Sequence, residues 1–166
     1  MKSRTQKTYD PITEPDKLRA RALYWLGQKE FSIKDFRTKL ERVCEDEVMI
    51  ENLLEDFIAR DWLNEQRYMT SFVRQKIAAG LGLFRIRQEL NQHGIKQNQS
   101  ELYFEQLEFD WFEQALATYQ KKYGLAQCDD FKEKAKRYRY MQYRGFSPDQ
   151  IKYAMDAQAE DWAPNK

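Results

Sequence analysis

The residues best equipped to engage a partner lie between Lys132 and Arg144. Six cations, Lys132, Lys134, Lys136, Arg137, Arg139 and Arg144, stand there against one carboxylate, interleaved with Tyr138, Tyr140 and Tyr143. Cations attract phosphates in a salt-dependent way, and aromatic faces stack on unpaired bases at about 1–3 kcal/mol each. Residues three and four apart share a helix face, so Arg137, Tyr140 and Arg144 can line one stripe. The structural alternative, Tyr138 and Tyr140 packed in a core with the cations forming a solvated face, stays open at this level. A second basic group is Arg74, Lys76, Arg85 and Arg87. Arg85 and Arg87 follow a break at Gly82 and fall in a first helical turn, where cations oppose the helix dipole. A partner's carboxylate or phosphate would account for them, and so would local pairing with Glu89. The candidate partner-binding set is therefore Arg74, Lys76, Arg85, Arg87, Lys132, Lys136, Arg137, Tyr140 and Arg144.

Most catalytic equipment is missing from the sequence. His93 is the only histidine, and Cys44 and Cys128 lie far apart without CxxC spacing. That argues against a zinc site or a Ser/His/Asp triad and for reduced thiols. No GxxxxGK[ST] loop and no GxGxxG motif is present, so a nucleotide site lacks support. Carboxylates are abundant, but abundance on solvated helices does not place two of them around a cleft. We assign no catalytic, metal or cofactor residue, and expect His93 at the surface beside Gly94. The net charge of +1 excludes a generic polyanion binder, although the charge is uneven: Glu41–Asp61 holds eight acidic residues and two basic ones. That stretch reads as a solvated helix face.

The elements that must carry these residues are helices. Six Gly and four Pro among 166 residues leave long stretches without either, which favours helices over a turn-rich β fold. Asp16 is placed to cap a helix with Leu18, Ala22, Leu23 and Leu26 on one face. Ser32 looks like the N-cap of a second helix with Ile33, Phe36 and Leu40, and a third carries Val48, Ile50, Leu53, Leu54, Phe57 and Ile58. The pattern then restarts: Asn64 caps a helix with Tyr68, Phe72, Val73 and Ile77, followed by one with Leu83, Ile86 and Leu90 closed by Gly94, and one from about Asn98 through Leu107. A last round opens near Asp110 with Phe112, Leu116 and Tyr119, continues through Asp129–Arg144, and ends in a helix with Pro148 at its first position. The recurring aromatics Trp25, Phe36, Phe57, Trp62, Phe72, Phe104, Trp111 and Phe112 read as packing residues. No apolar run approaches the ~20 residues needed to cross a bilayer, and no signal-peptide core is visible, so a cytoplasmic protein is expected.

Aligning the glycine stops exposes a repeat of about fifty residues. Leu90 precedes Gly94 by four and Met141 precedes Gly145 by four; fifty residues earlier Leu40 holds the same place, with Cys44 at the glycine position. Nine and ten residues beyond the stop lie Leu53 and Leu54, Tyr103 and Phe104, Ala154 and Met155. Six residues beyond it Ile50 and Ile151 agree, whereas Ser100 is a polar exception. A period of this length suits stacked helical units, because one three-helix unit cannot bury its apolar face alone.

The run Arg85-Ile86-Arg87-Gln88-Glu89-Leu90-Asn91-Gln92-His93-Gly94-Ile95 resembles the central motif of the RecX family, regulators of the RecA recombinase. Asn64-Glu65-Gln66-Arg67-Tyr68 with Phe72-Val73 stands where that family has a DxxRF…FV segment. Tyr143-Arg144-Gly145-Phe146 with Asp149-Gln150-Ile151 is similar to its YRG[YF]…[ED]xI element, and Ala22-Leu23, Leu26, Ser32, Phe36-Arg37 and Lys39-Leu40 match its first unit. The likeness covers roughly Leu18 to Ala157. It implies an all-α fold of three tandem three-helix repeats in an elongated, curved, right-handed array. It also implies a cytoplasmic protein, by default a monomer, that docks along the RecA–single-stranded-DNA filament and blocks strand exchange and ATP hydrolysis. The family pattern departs at Cys44 and the acidic Glu45-Asp46-Glu47, so contacts by the first unit are not carried over.

The expected organisation is a flexible arm at 1–15, repeats at 16–61, 62–108 and 109–158, and a tail at 159–166. Two other function classes compete with the filament modulator. One is a stand-alone helical nucleic-acid-binding module, disfavoured by near-zero net charge. The other is an enzyme, for which no site is visible. No membrane partner is expected.

Overall fold

In the computed structural model, residues 10–125 and 128–160 are described, with side chains through Ala157. Among them nine helices run in order: α1 (Pro15–Leu26), α2 (Ile33–Glu41), α3 (Glu47–Ala59), α4 (Glu65–Ala78), α5 (Leu83–Gln92), α6 (Gln97–Gln106), α7 (Trp111–Tyr123), α8 (Phe131–Tyr143) and α9 (Pro148–Glu160). The chain forms two compact units, residues 1–69 and 70–166, with the boundary falling inside α4.

In the first unit, local chemistry starts each helix. Pro15 occupies the first turn of α1 with Glu14 as its N-cap, so Asp16 is not the cap but a first-turn carboxylate favoured by the dipole. Ser32 accepts from the Asp35 amide at 3.0 Å, and Asp46 from the Met49 amide at 3.0 Å. Leu18, Phe36, Leu40, Ile50, Leu54 and Phe57 close one core around these starts. Its rings meet edge-on or tilted, Trp25–Phe36 at 6.4 Å and Phe36–Phe57 at 6.2 Å. Leu23, Val48 and Ile58 lie on exposed flanks instead. The Ile12 amide donates to the Val43 carbonyl at 2.7 Å and its side chain packs on the core, so the chain is already anchored before Pro15. Of the arm and tail expected from sequence, residues 1–9 and 161–166 lie outside the described residues, while α9 continues through Glu160.

The turn after α2 corrects the expected register. Gly94 and Gly145 take positive φ (88° and 97°), and the amides after them close six-residue turns, Ile95 to the Leu90 carbonyl at 3.1 Å and Phe146 to Met141 at 3.2 Å. Cys44 instead donates to the Leu40 carbonyl at 2.9 Å without a left-handed residue. Its side chain is buried, as are those of Ile95 and Phe146, whose amides likewise bond the last-turn carbonyl. The first turn is one residue shorter, so no glycine is required. The last-turn anchors Leu40, Leu90 and Met141 are all fully buried. Ser100, the polar exception, is 3% exposed alongside Ile50 and Ile151, and its hydroxyl donates to the Gln97 carbonyl at 2.9 Å. A short hydroxyl satisfied by its own helix fits a site otherwise taken by isoleucine.

In the second unit, α7 and α9 pack along one another around Ala115, Tyr119, Met141, Phe146, Ile151 and Ala154. Asp110 caps α7, Asp130 caps α8, and Ser147 with Gln150 forms a reciprocal cap around Pro148 at the start of α9. The start of α5 has only Gly82 as its cap residue and no capping side chain. Its orphan amides go to the end of α8: Gly82 donates to the Arg144 carbonyl at 2.9 Å and Phe84 to the Gly145 carbonyl at 3.1 Å. Backbone meets backbone here, so a Cβ on Gly82 would lie 2.4 Å from the Gly145 oxygen, and one on Gly145 would lie 2.4 Å from the Arg85 amide nitrogen.

Gly82→Ala and Gly145→Ala are therefore expected to cost about 2 kcal/mol or more each, from backbone clash and, at Gly145, left-handed strain. Gly27→Ala, with φ −67° and ordinary contacts, should stay within about 0.5 kcal/mol. Urea midpoints of the three variants check this; equal losses would remove the close crossing as the cause.

Candidate functional site

The basic–aromatic helix α8 is oriented by Met141, which is fully buried. Arg137 and Arg144 stand four before and three after it, so they share its inward side. The Arg137 guanidinium, 14% exposed, donates to Glu133 at 3.3 Å and to the Tyr119 hydroxyl at 3.1 Å. It also lies 4.7 Å from the Tyr123 ring centroid. The hydrogen bond to Tyr119 is the main reason this guanidinium is held above its usual range, against the opposing effect of burial. Tyr140 is half-buried against Tyr123 at 5.6 Å. Arg144 donates from Nε to the Gly80 carbonyl at 3.2 Å and from its terminal nitrogen to the Ala79 carbonyl. Those carbonyls are orphans at the end of α4, which Gln114 also caps by donating to Ile77 at 2.7 Å. The stripe Arg137–Tyr140–Arg144 exists as one face, and its donors are engaged inside the unit.

The second basic group surrounds Glu89. Lys76 and Arg85 donate to the two Glu89 oxygens at 2.6 and 2.9 Å, and this carboxylate is 16% exposed. Burial pushes the Glu89 carboxyl up, but the hydrogen bonds and positive charges of Lys76 and Arg85 combined hold the group below the ordinary carboxylate range. Of the two sequence readings for Arg85, the structure shows the local pair, with the guanidinium also 5.1 Å from the Tyr143 centroid. Arg87 lies over Phe104 at 5.4 Å, and its Nε is buried without a hydrogen-bond partner among the described residues. Arg74 is exposed on α4. His93 is not a surface residue: it is half-buried, its ring 5.3 Å from Phe72 in an edge contact.

Opposite Met141, α8 turns a different stripe outward. Lys132, Lys136, Arg139 and Tyr143 are spaced by four, three and four residues and fall within roughly a sixth of the helix circumference. All four are exposed. Arg139 and Tyr143 were not in the candidate set from sequence. The signal that finds them is the phase of the buried Met141, which fixes the outward side without any reference to which cations neighbour which rings. Arg67 was likewise missed: in the first unit it donates to Glu30 at 3.0 Å and to the Asp61 and Trp62 carbonyls at 2.8 and 3.1 Å, closing the end of α3.

Residues 64–101 and 108–155 match the families described as the second and third three-helix domains of RecX. Over 140 residues the chain is 36% identical to the regulatory protein RecX of Vibrio parahaemolyticus serotype O3:K6, covering 84% of this chain and 90% of that protein. It is 34% identical over 139 residues to the regulatory protein RecX of Actinobacillus pleuropneumoniae serotype 5b, covering 84% and 91%. The fold matches the crystal structure of RecX from Lactobacillus salivarius with a TM-score of 0.72 at 23% identity, over 88% of this chain and 97% of that one.

Because the folded Glu89 carboxyl sits below its unfolded value, it contributes stability above the ordinary carboxylate range, and that contribution is lost as pH falls through the folded value. Glu89→Gln should lower the urea midpoint at neutral pH, and the gap to wild type should shrink on acidification from about pH 7 to about pH 3. Denaturation curves across that range check it; a gap constant with pH would mean the carboxylate charge is not what Lys76 and Arg85 hold.

Proposed function

The chain belongs to the RecX family, and from that premise we propose that it binds the RecA–single-stranded-DNA filament and inhibits its strand exchange and ATP hydrolysis. In that role it modulates recombinational DNA repair and the SOS response. The observation that carries this reading is 36% identity sustained across 90% of a regulatory protein RecX, rather than across one shared motif. It acts by binding, in the cytoplasm and as a monomer, and catalyses no reaction of its own. Among the described residues no helix is long and apolar enough to cross a membrane.

The arrangement of charge supports a composite target. A net charge of +1 gives little long-range pull toward bare nucleic acid, and Glu41–Asp61 is acidic. Exposed cations on α8 act on phosphates at short range, beside whatever protein contacts the filament offers. The second reading, a stand-alone nucleic-acid module, is favoured by the same exposed cations and disfavoured by the overall balance.

RecA's single-stranded-DNA-dependent ATPase, titrated with purified protein, tests the first reading. Inhibition is expected at ratios well below one molecule per RecA subunit if filament growth is blocked. Unchanged ATPase and strand exchange across the whole titration would sink it. Tight, sequence-dependent duplex binding in a gel shift without RecA would favour the second reading instead.

A further inference from the structure

The outward stripe of α8 gathers three exposed, lightly paired cations on one helix face, whereas Lys76, Arg85, Arg137 and Arg144 are engaged inside the unit. Lys132 and Arg139 make no ion pair among the described residues, and Lys136 has only a 3.5 Å contact with Glu133 at 69% exposure, an interaction of little strength. Glu133, the sole carboxylate of α8, is turned toward Arg137. The stripe ends in Tyr143, which is 70% exposed although aromatic. At the start of α5, Phe84, 57% exposed, bonds its amide to the Gly145 carbonyl two residues beyond Tyr143. Arg85 holds the Tyr143 ring through its 5.1 Å cation–ring contact. Two large rings left in water at a backbone junction, next to about 10 Å of helix bearing cations, is a costly arrangement for a surface with no partner.

We propose that this face binds single-stranded DNA, with Lys132, Lys136 and Arg139 on backbone phosphates and Tyr143 and Phe84 against base faces. Charge complementarity selects a polyanion. The exposed ring faces select unpaired bases, because stacked bases in a duplex offer none. The choice of DNA as the strand rests on the filament reading above. An acidic protein surface would use the cations but leave the rings without a matching chemistry.

The test measures binding of a fluorescent oligo-dT to the full chain by anisotropy, without RecA, as a function of salt. Wild type is compared with Lys132→Glu/Lys136→Glu/Arg139→Glu, with Phe84→Ala/Tyr143→Ala, and with a charge-matched control, Arg21→Glu/Arg42→Glu/Lys152→Glu. These control residues are exposed and lie off the stripe. The stripe variant should lose at least tenfold in affinity, and its slope of log affinity against log salt should fall by about 2. The aromatic variant should lose about tenfold with the slope unchanged. No oligo-dT binding by wild type at low salt, or equal losses in the stripe variant and the control, overturns the proposal. So does a stripe variant that keeps oligo-dT binding but no longer cosediments with RecA filaments, which would make the face a protein contact. RecA ATPase inhibition by the wild type, read separately, reports on the filament reading alone.

Discussion

A helix leaves four amides and four carbonyls without partners at its ends, and burying them unpaired is expensive. In the second unit this constraint is met by one exchange between three helix ends. The carbonyls of Arg144 and Gly145 at the end of α8 receive the amides that start α5, and the Arg144 side chain reaches back to the carbonyls that end α4. Arg144 thus acts through both its backbone oxygen and its guanidinium. Gly82 and Gly145 follow from the same geometry, since no Cβ fits where one backbone lies directly on another. The rotation of α8 about its own axis is then fixed by hydrogen bonds at its end as well as by Met141 at its side. Which residues of α8 face water is a consequence of that locking.

The distribution of arginine follows from the same need. Its planar fork can serve two carbonyls, or a carbonyl and a carboxylate, at once, and a hydrogen bond to a charged group contributes about 1.5–3 kcal/mol. Arg67 closes the end of α3, Arg144 the end of α4, and Arg137 ties α8 to Tyr119 of α7. The cations left exposed on α8 are Lys132, Lys134, Lys136 and Arg139, mostly lysines whose flexible ammonium suits phosphate as a point charge. Counting the basic residues of a helix therefore overstates the surface offered to a polyanion.

Much of the architecture was legible from the sequence because it depends on period and on caps. Ser32, Asp110 and Pro148 stand at their helix starts, and Leu40, Leu90 and Met141 share full burial as the register required. Cys44 was misaligned because a one-residue shortening of a turn leaves no trace in an apolar pattern that resumes in phase afterwards. Asp16 lost the cap to Glu14 because Pro15 already satisfies the first turn. His93 was expected at the surface from its neighbour Gly94, yet a turn residue also faces the preceding helix, where Phe72 lies. The stripe Arg137–Tyr140–Arg144 was correctly grouped on one face, but spacing alone does not say which way a face points. Ion pairs such as Lys76–Glu89 join residues on different helices and have no signature in sequence spacing at all.

Under the proposed filament reading, fixing the face of α8 bears on how a nearly neutral protein would hold a charged target. At physiological salt, exposed charges are screened beyond about 8 Å, so the acidic residues of the first unit and the cations of α8 act on what lies immediately beside them. Few cations face the same way, so binding of free DNA is expected to be modest and strongly weakened by salt. A filament presents protein and DNA together, so weak contacts made at once add without a second loss of translational freedom. Under the proposal, the backbone bonds between the start of α5 and the end of α8 would let rings and cations meet a repeating target without first being ordered. Under the proposed filament reading, the close backbone contact at Gly82 and Gly145 would contribute, beside the number of positive charges, to telling a filament from naked DNA.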